Sequence, residues 1–345
     1  MWILERRPWD TIREAEATPR ELYFDRRAFL KRLGLTAAGV SLGAGSTAAL
    51  AGCARNGTGD VARKPPPAGP LATIPPTPSA DLYPAQRNAT YTLDRPITDR
   101  VVAATHNNFY EFTTTKDEVW RLTSDFEARP WTLEVGGLVD RPGSFDVAEL
   151  ERSIGLEERL YRHRCVEAWS MAVPWTGFPL AALLARVQPL SAARYVRFVS
   201  FLRPEQAVGQ RTQTWYPWPY YEALRLDEAL NPLTLVVTGI YGEPMPKQHG
   251  APVRIVTPWK YGYKSPKSIV KIELTREQPP TLWNDMQPLE YGFYSNVNPA
   301  VPHPRWSQAT EELIGTGMRL ETLPFNGYGD WVAELYTPEI MSRIS

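Results

Sequence analysis

Residues 164–180 read RCVEAWSMAVPWTGFPL, and this stretch carries most of the information about the fold and the chemistry of the chain. The residues Tyr161–Val166 predict a strand that leads into Cys165. Phe178–Val187 predicts a helix with Pro179 near its first turn, where a proline is well tolerated.

On both sides of this stretch, short apolar and β-branched runs outnumber helical patterns. Asp146 is the predicted cap of a short helix that runs to Ser153. Further strands are predicted at Trp131–Val139, Tyr195–Leu202, Leu233–Thr238, Val253–Thr257 and Ser268–Leu274. We therefore expect an α+β, mostly β fold, with a single catalytic domain over residues 91–335 and a tail over residues 336–345.

The composition excludes several classes of protein. The 345 residues include 38 basic and 38 acidic side chains, so the chain lacks the basic excess of nucleic-acid-binding proteins. The 12 Trp, 16 Tyr and 33 Pro residues favour a loop-rich β architecture over a helical bundle. Two cysteines, Cys53 and Cys165, exclude a disulfide scaffold, a Cys-rich zinc site and a Cys-ligated iron–sulfur cluster.

The first 52 residues have the features of an export signal. Asp25–Lys31 reads DRRAFLK and matches the twin-arginine pattern, and an apolar stretch rich in small residues follows from Leu33 to Gly52. This pattern predicts a twin-arginine signal peptide at residues 1–52 and a periplasmic location. Since the twin-arginine route carries folded proteins, it also favours a cofactor that is inserted before export.

The end of the signal peptide fits two kinds of processing. Ala49–Ala51 fits an ordinary cleavage site, whereas Leu50–Cys53 fits a lipobox that would make Cys53 a lipid anchor. Residues 53–90 are rich in Pro and are predicted to form a linker. Lipidation and removal of Cys53 both remain open.

Cys165 is the candidate reactive group of the mature chain. Its neighbours Arg162, His163 and Arg164 would favour a thiolate if they reached it, but strand alternation places the two arginines on the opposite face. A buried core cysteine remains an alternative. A cysteine that takes part in the chemistry would be a nucleophile or a soft metal ligand. A metal held by one thiolate needs further ligands, such as those of an organic dithiolene cofactor.

The motifs around Cys165 resemble those of a known enzyme family. Arg164–Ser170 and Val173–Leu180 closely resemble the catalytic subunits of periplasmic methionine sulfoxide reductases, which are molybdopterin enzymes of the sulfite oxidase superfamily. The resemblance covers about residues 90–330. It extends to the segments Asn107–Phe112, Gly250–Arg254, Pro258–Gly262, Tyr291–Pro299 and His303–Glu311.

This resemblance implies a molybdenum–molybdopterin cofactor, with Cys165 as the protein's ligand to the metal. It implies that Arg254 and the segment Ser265–Lys267 bind the phosphate or polar edge of the cofactor. The cofactor-binding residues implied in total are Asn107, Tyr110, Glu111, Cys165, Ser200, His249, Arg254, Ser265, Pro266 and Lys267. Ser200 and His249 depart from the family pattern, in which we expect Thr and Asn.

Glu167 is the second catalytic candidate. If the strand continued past Cys165, Glu167 would share its face, and a closed site would raise the pKa of this carboxyl. We therefore expect Glu167 to relay protons, since reduction of a sulfoxide consumes two. The alternative for Glu167 is an ion pair with a nearby arginine.

The resemblance implies reduction of methionine sulfoxide in periplasmic proteins by oxygen-atom transfer to molybdenum. It also implies electrons from a membrane partner that oxidises quinol, the haem-containing subunit MsrQ, and a monomeric catalytic subunit. The aromatic residues near positions 215–221 and 291–294 suit an open mouth for protein-bound substrates. The alternatives are a sulfite-oxidising enzyme of the same superfamily, a cofactor-free binding module and a single-Cys hydrolase.

Overall fold

The structure is a computed structural model that describes residues 68–342. The predicted signal peptide, the lipobox at Cys53, the first part of the predicted linker and residues 343–345 lie outside these described residues. Within residues 68–342, no helix is both long and apolar enough to cross a membrane.

Thirteen strands form two sheets in the described part of the chain. They are β1 (Gln86–Arg87), β2 (Thr132–Gly137), β3 (Gly143–Asp146), β4 (Glu157–Arg164), β5 (Trp169–Pro179), β6 (Tyr195–Ser200), β7 (Tyr221–Arg225), β8 (Leu235–Ile240), β9 (Glu243–Pro244), β10 (Arg254–Val256), β11 (Ile269–Thr275), β12 (Thr310–Leu313) and β13 (Met318–Glu321). One sheet has the order β3-β2-β11-β6-β7. The other has the path β1-β4-β5-β12-β13, with β8 paired to β5, β9 and β10.

The helices are short, as the sequence predicts. They are α1 (Arg100–Ala104), α2 (Val147–Ile154), α3 (Leu180–Val187), α4 (Val208–Thr212), α5 (Leu226–Leu230), α6 (Leu282–Met286), α7 (Gly329–Val332) and α8 (Pro338–Met341). The side chain of Asp146 accepts a hydrogen bond from the Glu149 backbone and caps α2, which confirms the predicted cap. The α+β, mostly β class is confirmed as well.

The hairpin of β4 and β5 is the centre of the fold. The two strands pair antiparallel from Glu157 opposite Gly177 to Arg164 opposite Ser170. Strand β5 is buried along nearly its whole length because both of its edges are paired and its residues are mostly apolar. Phe178 and Pro179 belong to β5, so the helix begins at Leu180, two residues later than predicted.

The structure differs from the predicted linker over residues 68–90. A 3₁₀ turn at Pro70–Thr73 packs against the domain, and Thr73 donates a hydrogen bond to buried Gln248. Gln248 in turn donates to the Pro70 carbonyl at 2.8 Å. These bonds form because the polar groups of an otherwise buried turn need partners.

The predicted tail begins inside the fold. Tyr336 is buried, donates a hydrogen bond to Glu228 at 2.6 Å and accepts one from the Trp259 indole at 2.8 Å. The predicted domain end at residue 335 therefore falls too early, because the phenol ring of Tyr336 completes a buried polar cluster.

Candidate functional site

Cys165 lies in the tight turn that joins β4 to β5. The Cys165 N–H donates to the Trp169 carbonyl at 2.9 Å, and the Ala168 N–H donates to the Cys165 carbonyl at 3.2 Å. Ala168 has a φ of 62°, in the left-handed region that closes such a turn. The predicted strand therefore ends at Arg164, one residue before the thiol, and Cys165 is only 6% exposed.

The arginines on either side of His163 do not contact the Cys165 sulfur. Arg164 is buried and pairs with Glu311 at 2.9 Å. Arg162 pairs with Asp94 at 2.8 Å. Strand alternation directs both side chains away from the thiol, so neither arginine contacts the sulfur.

The Cys165 thiol has three close polar neighbours. Asn108 Nδ2 and the Glu167 backbone nitrogen each lie 3.5 Å from Sγ, and the thiol lies 3.8 Å from Glu167 Oε2. Burial, followed by the negative charge of Glu167, raises the pKa of the Cys165 thiol to about 12. The charges of Arg164 and Lys116 lower this pKa, but burial and Glu167 outweigh them, so Cys165 is a neutral thiol and a poor nucleophile.

Glu167 is held as an anion. Its carboxylate pairs with Lys116 at 3.0 Å and accepts hydrogen bonds from Asn108 at 3.0 Å and from the Trp169 indole at 3.1 Å. Burial raises the pKa of Glu167, but the hydrogen bond from Asn108 and the Lys116 charge outweigh burial, so the pKa is lowered. The expected raised pKa is wrong, and the ion-pair partner is a lysine rather than an arginine.

Glu167 reaches the thiol by a route that the sequence does not predict. Residues 165–168 form a turn rather than a continuing strand, so the two side chains do not share a strand face. The turn nevertheless brings the Glu167 carboxylate and backbone N–H to the sulfur. The predicted proximity holds, but its geometric reason is different.

A cavity of about 110 Å³ opens beside Cys165. It is lined by all but one of the predicted site residues: Asn107, Tyr110, Glu111, Cys165, Glu167, His249, Arg254, Ser265, Pro266 and Lys267. Ser200 is the exception, since it is buried behind the cavity and its hydroxyl donates to the Lys267 carbonyl. Ser200 therefore supports the cavity wall and does not line it.

One end of the cavity carries two basic side chains, buried Arg254 and half-buried Lys267. Arg254 is 2% exposed and donates to the carbonyls of His249 at 2.9 Å and Ser265 at 3.2 Å. Burial lowers the pKa of Arg254 to about 9, and among residues 68–342 no carboxylate forms an ion pair with it. Burial and then Arg254 lower the pKa of Lys267 to about 7, while Glu111 opposes this change. Two basic side chains that repel each other favour a bound anion.

The remaining predicted residues complete this end of the cavity. Burial raises the pKa of Glu111 to about 7, so its negative charge is weakened next to Lys267. Burial followed by the Arg254 charge lowers the pKa of His249 to about 3, so this imidazole is neutral. Asn107 is buried and donates to the Ala104 carbonyl at 2.9 Å, which fixes the segment that follows α1.

Gly250 allows a close approach between its backbone and the Lys267 side chain at the site. Its φ is 101°, and a Cβ at this position would lie 2.6 Å from Lys267 Cβ. Only glycine fits such a conformation and such a contact without strain. The turn that carries His249 is therefore packed directly against Lys267.

Asn108, Lys116 and His106 are among the site residues that were not predicted from the sequence. Asn108 contacts both Cys165 and Glu167, and Lys116 pairs with Glu167. His106 lines the cavity, and its Nε2, like Asn108 Oδ1, is buried with no hydrogen-bond partner among residues 68–342. The motif Asn107–Phe112 contains Asn108 and could have identified it, whereas no local signal marks Lys116. The unsatisfied atoms leave hydrogen-bonding capacity for a bound group.

The chain is similar to molybdopterin oxidoreductases. Residues 121–283 match the family described as "Oxidoreductase molybdopterin binding domain". The protein-methionine-sulfoxide reductase catalytic subunit MsrP of Xanthomonas axonopodis pv. citri is 46% identical over 328 residues, which are 93% of this chain and 94% of that protein. MsrP of Burkholderia mallei is 46% identical over 331 residues, 95% of this chain and 93% of that protein.

The sulfane dehydrogenase SoxCD of Paracoccus pantotrophus aligns over 44% of this chain and 40% of that chain, with 15% sequence identity and a TM-score of 0.38. A likeness of this extent adds nothing to the assignment, which depends on the relatives above.

Proposed function

The chain belongs to the family of protein-methionine-sulfoxide reductase catalytic subunits, and we propose that it reduces methionine sulfoxide in proteins to methionine with a molybdenum–molybdopterin cofactor. The observation that carries this proposal is the presence of one buried thiol and two basic side chains, buried Arg254 and half-buried Lys267, in a single cavity. A soft metal at Cys165 and an anionic cofactor at Arg254 and Lys267 satisfy both features.

The residues of the cavity fit this cofactor. Cys165 would hold the metal as a thiolate, since a coordinated cation lowers the pKa of a bound thiol. Arg254 and Lys267 would hold the phosphate and the polar edge of the pterin beside Ser265, whose backbone N–H already donates to the Gly262 carbonyl. The other predicted contacts to the pterin are Asn107, Tyr110, Glu111, His249 and Pro266. When bound, the cofactor supplies two-electron oxygen-atom transfer from the sulfoxide.

Reduction of a sulfoxide to a thioether and water consumes two electrons and two protons, and we assign proton delivery to Glu167. Its carboxylate is partly exposed and lies 3.8 Å from the Cys165 sulfur. Because its pKa is lowered, Glu167 is an anion at rest, so it would accept each proton from solvent and pass it on at once inside the cavity.

Glu167→Gln tests this role because it keeps the size of the side chain and removes its basicity. We expect lower turnover and a changed activity–pH profile. Glu312→Gln, which alters an exposed carboxylate on β12, is the matched control. Turnover of Glu167→Gln that equals wild type across the pH range would contradict the assignment.

The wall on the Glu167 side of the cavity suits a neutral substrate. Lys116 is paired with Glu167, and the nearby lining residues include Tyr216, Trp283 and Tyr291. Sulfite, an anion, needs unpaired positive charge at the substrate position. Turnover with a reduced dye and methionine sulfoxide, measured beside sulfite oxidation with an oxidised dye, tests the proposal. Sulfite oxidation alone would contradict it.

We further propose the setting of the reaction. The DRRAFLK motif and the Pro-rich segment support export by the twin-arginine machinery to the periplasm, as a soluble or lipid-anchored monomer. Electrons would come from quinol through the membrane haem-containing subunit MsrQ, since relatives of the chain are named catalytic subunits. Mass spectrometry of the exported N-terminus distinguishes a lipidated Cys53 from its removal, and co-purification with the haem subunit tests the electron donor.

A further inference from the structure

An aromatic wall, formed by Tyr216, Trp283 and Tyr291, lines the cavity that contains Cys165. The ring centroids of Tyr216 and Trp283 are 6.0 Å apart, and those of Trp283 and Tyr291 are 5.2 Å apart. These distances indicate a continuous apolar surface of packed rings. Such a surface accepts the methyl and methylene groups of a methionine side chain.

Trp215 extends the aromatic wall to the outside. Its ring centroid lies 5.9 Å from that of Tyr216, and the residue is 65% exposed. The loop that carries it is fixed, because Gln213 donates to the Tyr110 carbonyl at 3.1 Å and the Trp218 indole donates to the Gln213 carbonyl at 3.0 Å. The loop with the exposed Trp215 indole is therefore held next to the cavity by hydrogen bonds to Tyr110 and Trp218, which line that cavity.

Leu289 is a second exposed apolar side chain near the aromatic wall in sequence. It precedes Tyr291 by two residues and is 78% exposed. A single exposed apolar residue is ordinary, so Leu289 is of interest here because it lies in the segment that supplies Tyr291 to the cavity. Trp215 and Leu289 thus belong to the loops that supply the wall.

We propose that Trp215 and Leu289 form a docking surface for the extended, unfolded polypeptide segment that flanks an oxidised methionine. The inference rests on the proposed function. Because Cys165 is buried inside the cavity, the sulfoxide must reach inward while the residues on either side stay at the lip. A segment without fixed secondary structure can adapt to this path, and its apolar side chains would pack on the indole.

The test compares two substrates in the cofactor-loaded enzyme: free methionine sulfoxide, and an unstructured synthetic peptide with a central methionine sulfoxide between apolar residues. We expect Trp215→Ala to raise KM for the peptide about tenfold, the loss typical of a truncated Trp anchor. KM for free methionine sulfoxide and kcat for both substrates should stay within about twofold of wild type, as for an ordinary surface substitution. Leu289→Ala should act in the same direction with a smaller effect.

Trp331→Ala is the matched control, since Trp331 is 41% exposed, packs on Tyr91 and does not line the cavity. It should leave both KM values unchanged. An unchanged peptide KM in Trp215→Ala, or an equal rise for both substrates, would overturn the docking surface. A wild-type enzyme that reduces neither substrate would instead overturn the proposed function.

Discussion

The cofactor-free enzyme should have an unreactive Cys165. Burial and the Glu167 charge raise the pKa of this thiol to about 12, whereas an ordinary cysteine has a pKa of about 8.5. At pH 8 the thiolate of Cys165 is therefore less abundant than that of a free cysteine by about 2 × 10³-fold. A more basic thiolate is intrinsically more nucleophilic, by roughly 30-fold for this difference. The net expectation is alkylation slower by roughly 80-fold, before steric protection is counted.

The assay is alkylation of the cofactor-free protein with iodoacetamide, followed by mass spectrometry of the peptide that contains Cys165. N-acetylcysteine in the same tube is the reference thiol. The rate at Cys165 should keep rising through the whole pH range in which the protein stays folded, because its pKa lies above that range. Glu167→Gln removes one cause of the raised pKa, so it should speed the reaction at pH 8.

Two results would refute the reasoning. A rate that levels off near pH 8 would show an ordinary pKa, and rapid alkylation at neutral pH would show an activated nucleophile. Either would favour a single-Cys hydrolase over a metal ligand, because a hydrolase needs the thiolate without any cofactor.

Three further substitutions test the cavity and its supports. Arg254→Gln should lower the cofactor content of purified protein at least about tenfold, because it removes a charge-assisted contact. The thermal midpoint of the cofactor-free form should change by only a few degrees. An unchanged cofactor content would contradict the role of Arg254 in cofactor binding. Gln248→Leu should lower the free energy of unfolding by about 2 kcal/mol, because the carbonyls of Pro70 and Ala104 lose their hydrogen-bond donor. Urea titration measures this change. An unchanged free energy of unfolding would show that the 68–90 segment adds no stability through these bonds. Tyr336→Phe should cost about 2 kcal/mol, since Glu228 and Trp259 each lose a buried partner; equal stability in the same titration would contradict it.

Local sequence patterns predicted part of the structure that carries the site. The strand pattern at Tyr161–Val166 corresponds to the end of β4, whereas β5 was not predicted and its last two residues were predicted to be helical. The Asp146 cap was also readable, because capping depends on residues three apart. These features depend on near neighbours in the sequence, which is why local patterns were enough.

Contacts between distant segments could not be predicted in the same way. The pairing of Lys116 with Glu167 and the hydrogen bond from Thr73 to Gln248 join parts of the chain that only the folded sheets bring together. The direction of the Glu167 pKa shift was wrong for this reason, since burial alone raises it and the distant lysine reverses it. Ser200 was placed at the cavity by resemblance, but its hydroxyl turns to the Lys267 carbonyl.

Analysis of molybdenum and pterin in wild-type protein and in Cys165→Ser, after maturation in the same host, tests the central claim most directly. We predict equimolar molybdenum and pterin with sulfoxide-dependent dye oxidation in the wild type. In Cys165→Ser we predict loss of turnover, because an oxygen replaces the soft sulfur ligand. Matured wild-type protein without molybdenum, or full sulfoxide turnover by Cys165→Ser, would contradict the assignment of Cys165 as the metal ligand of a molybdopterin reductase.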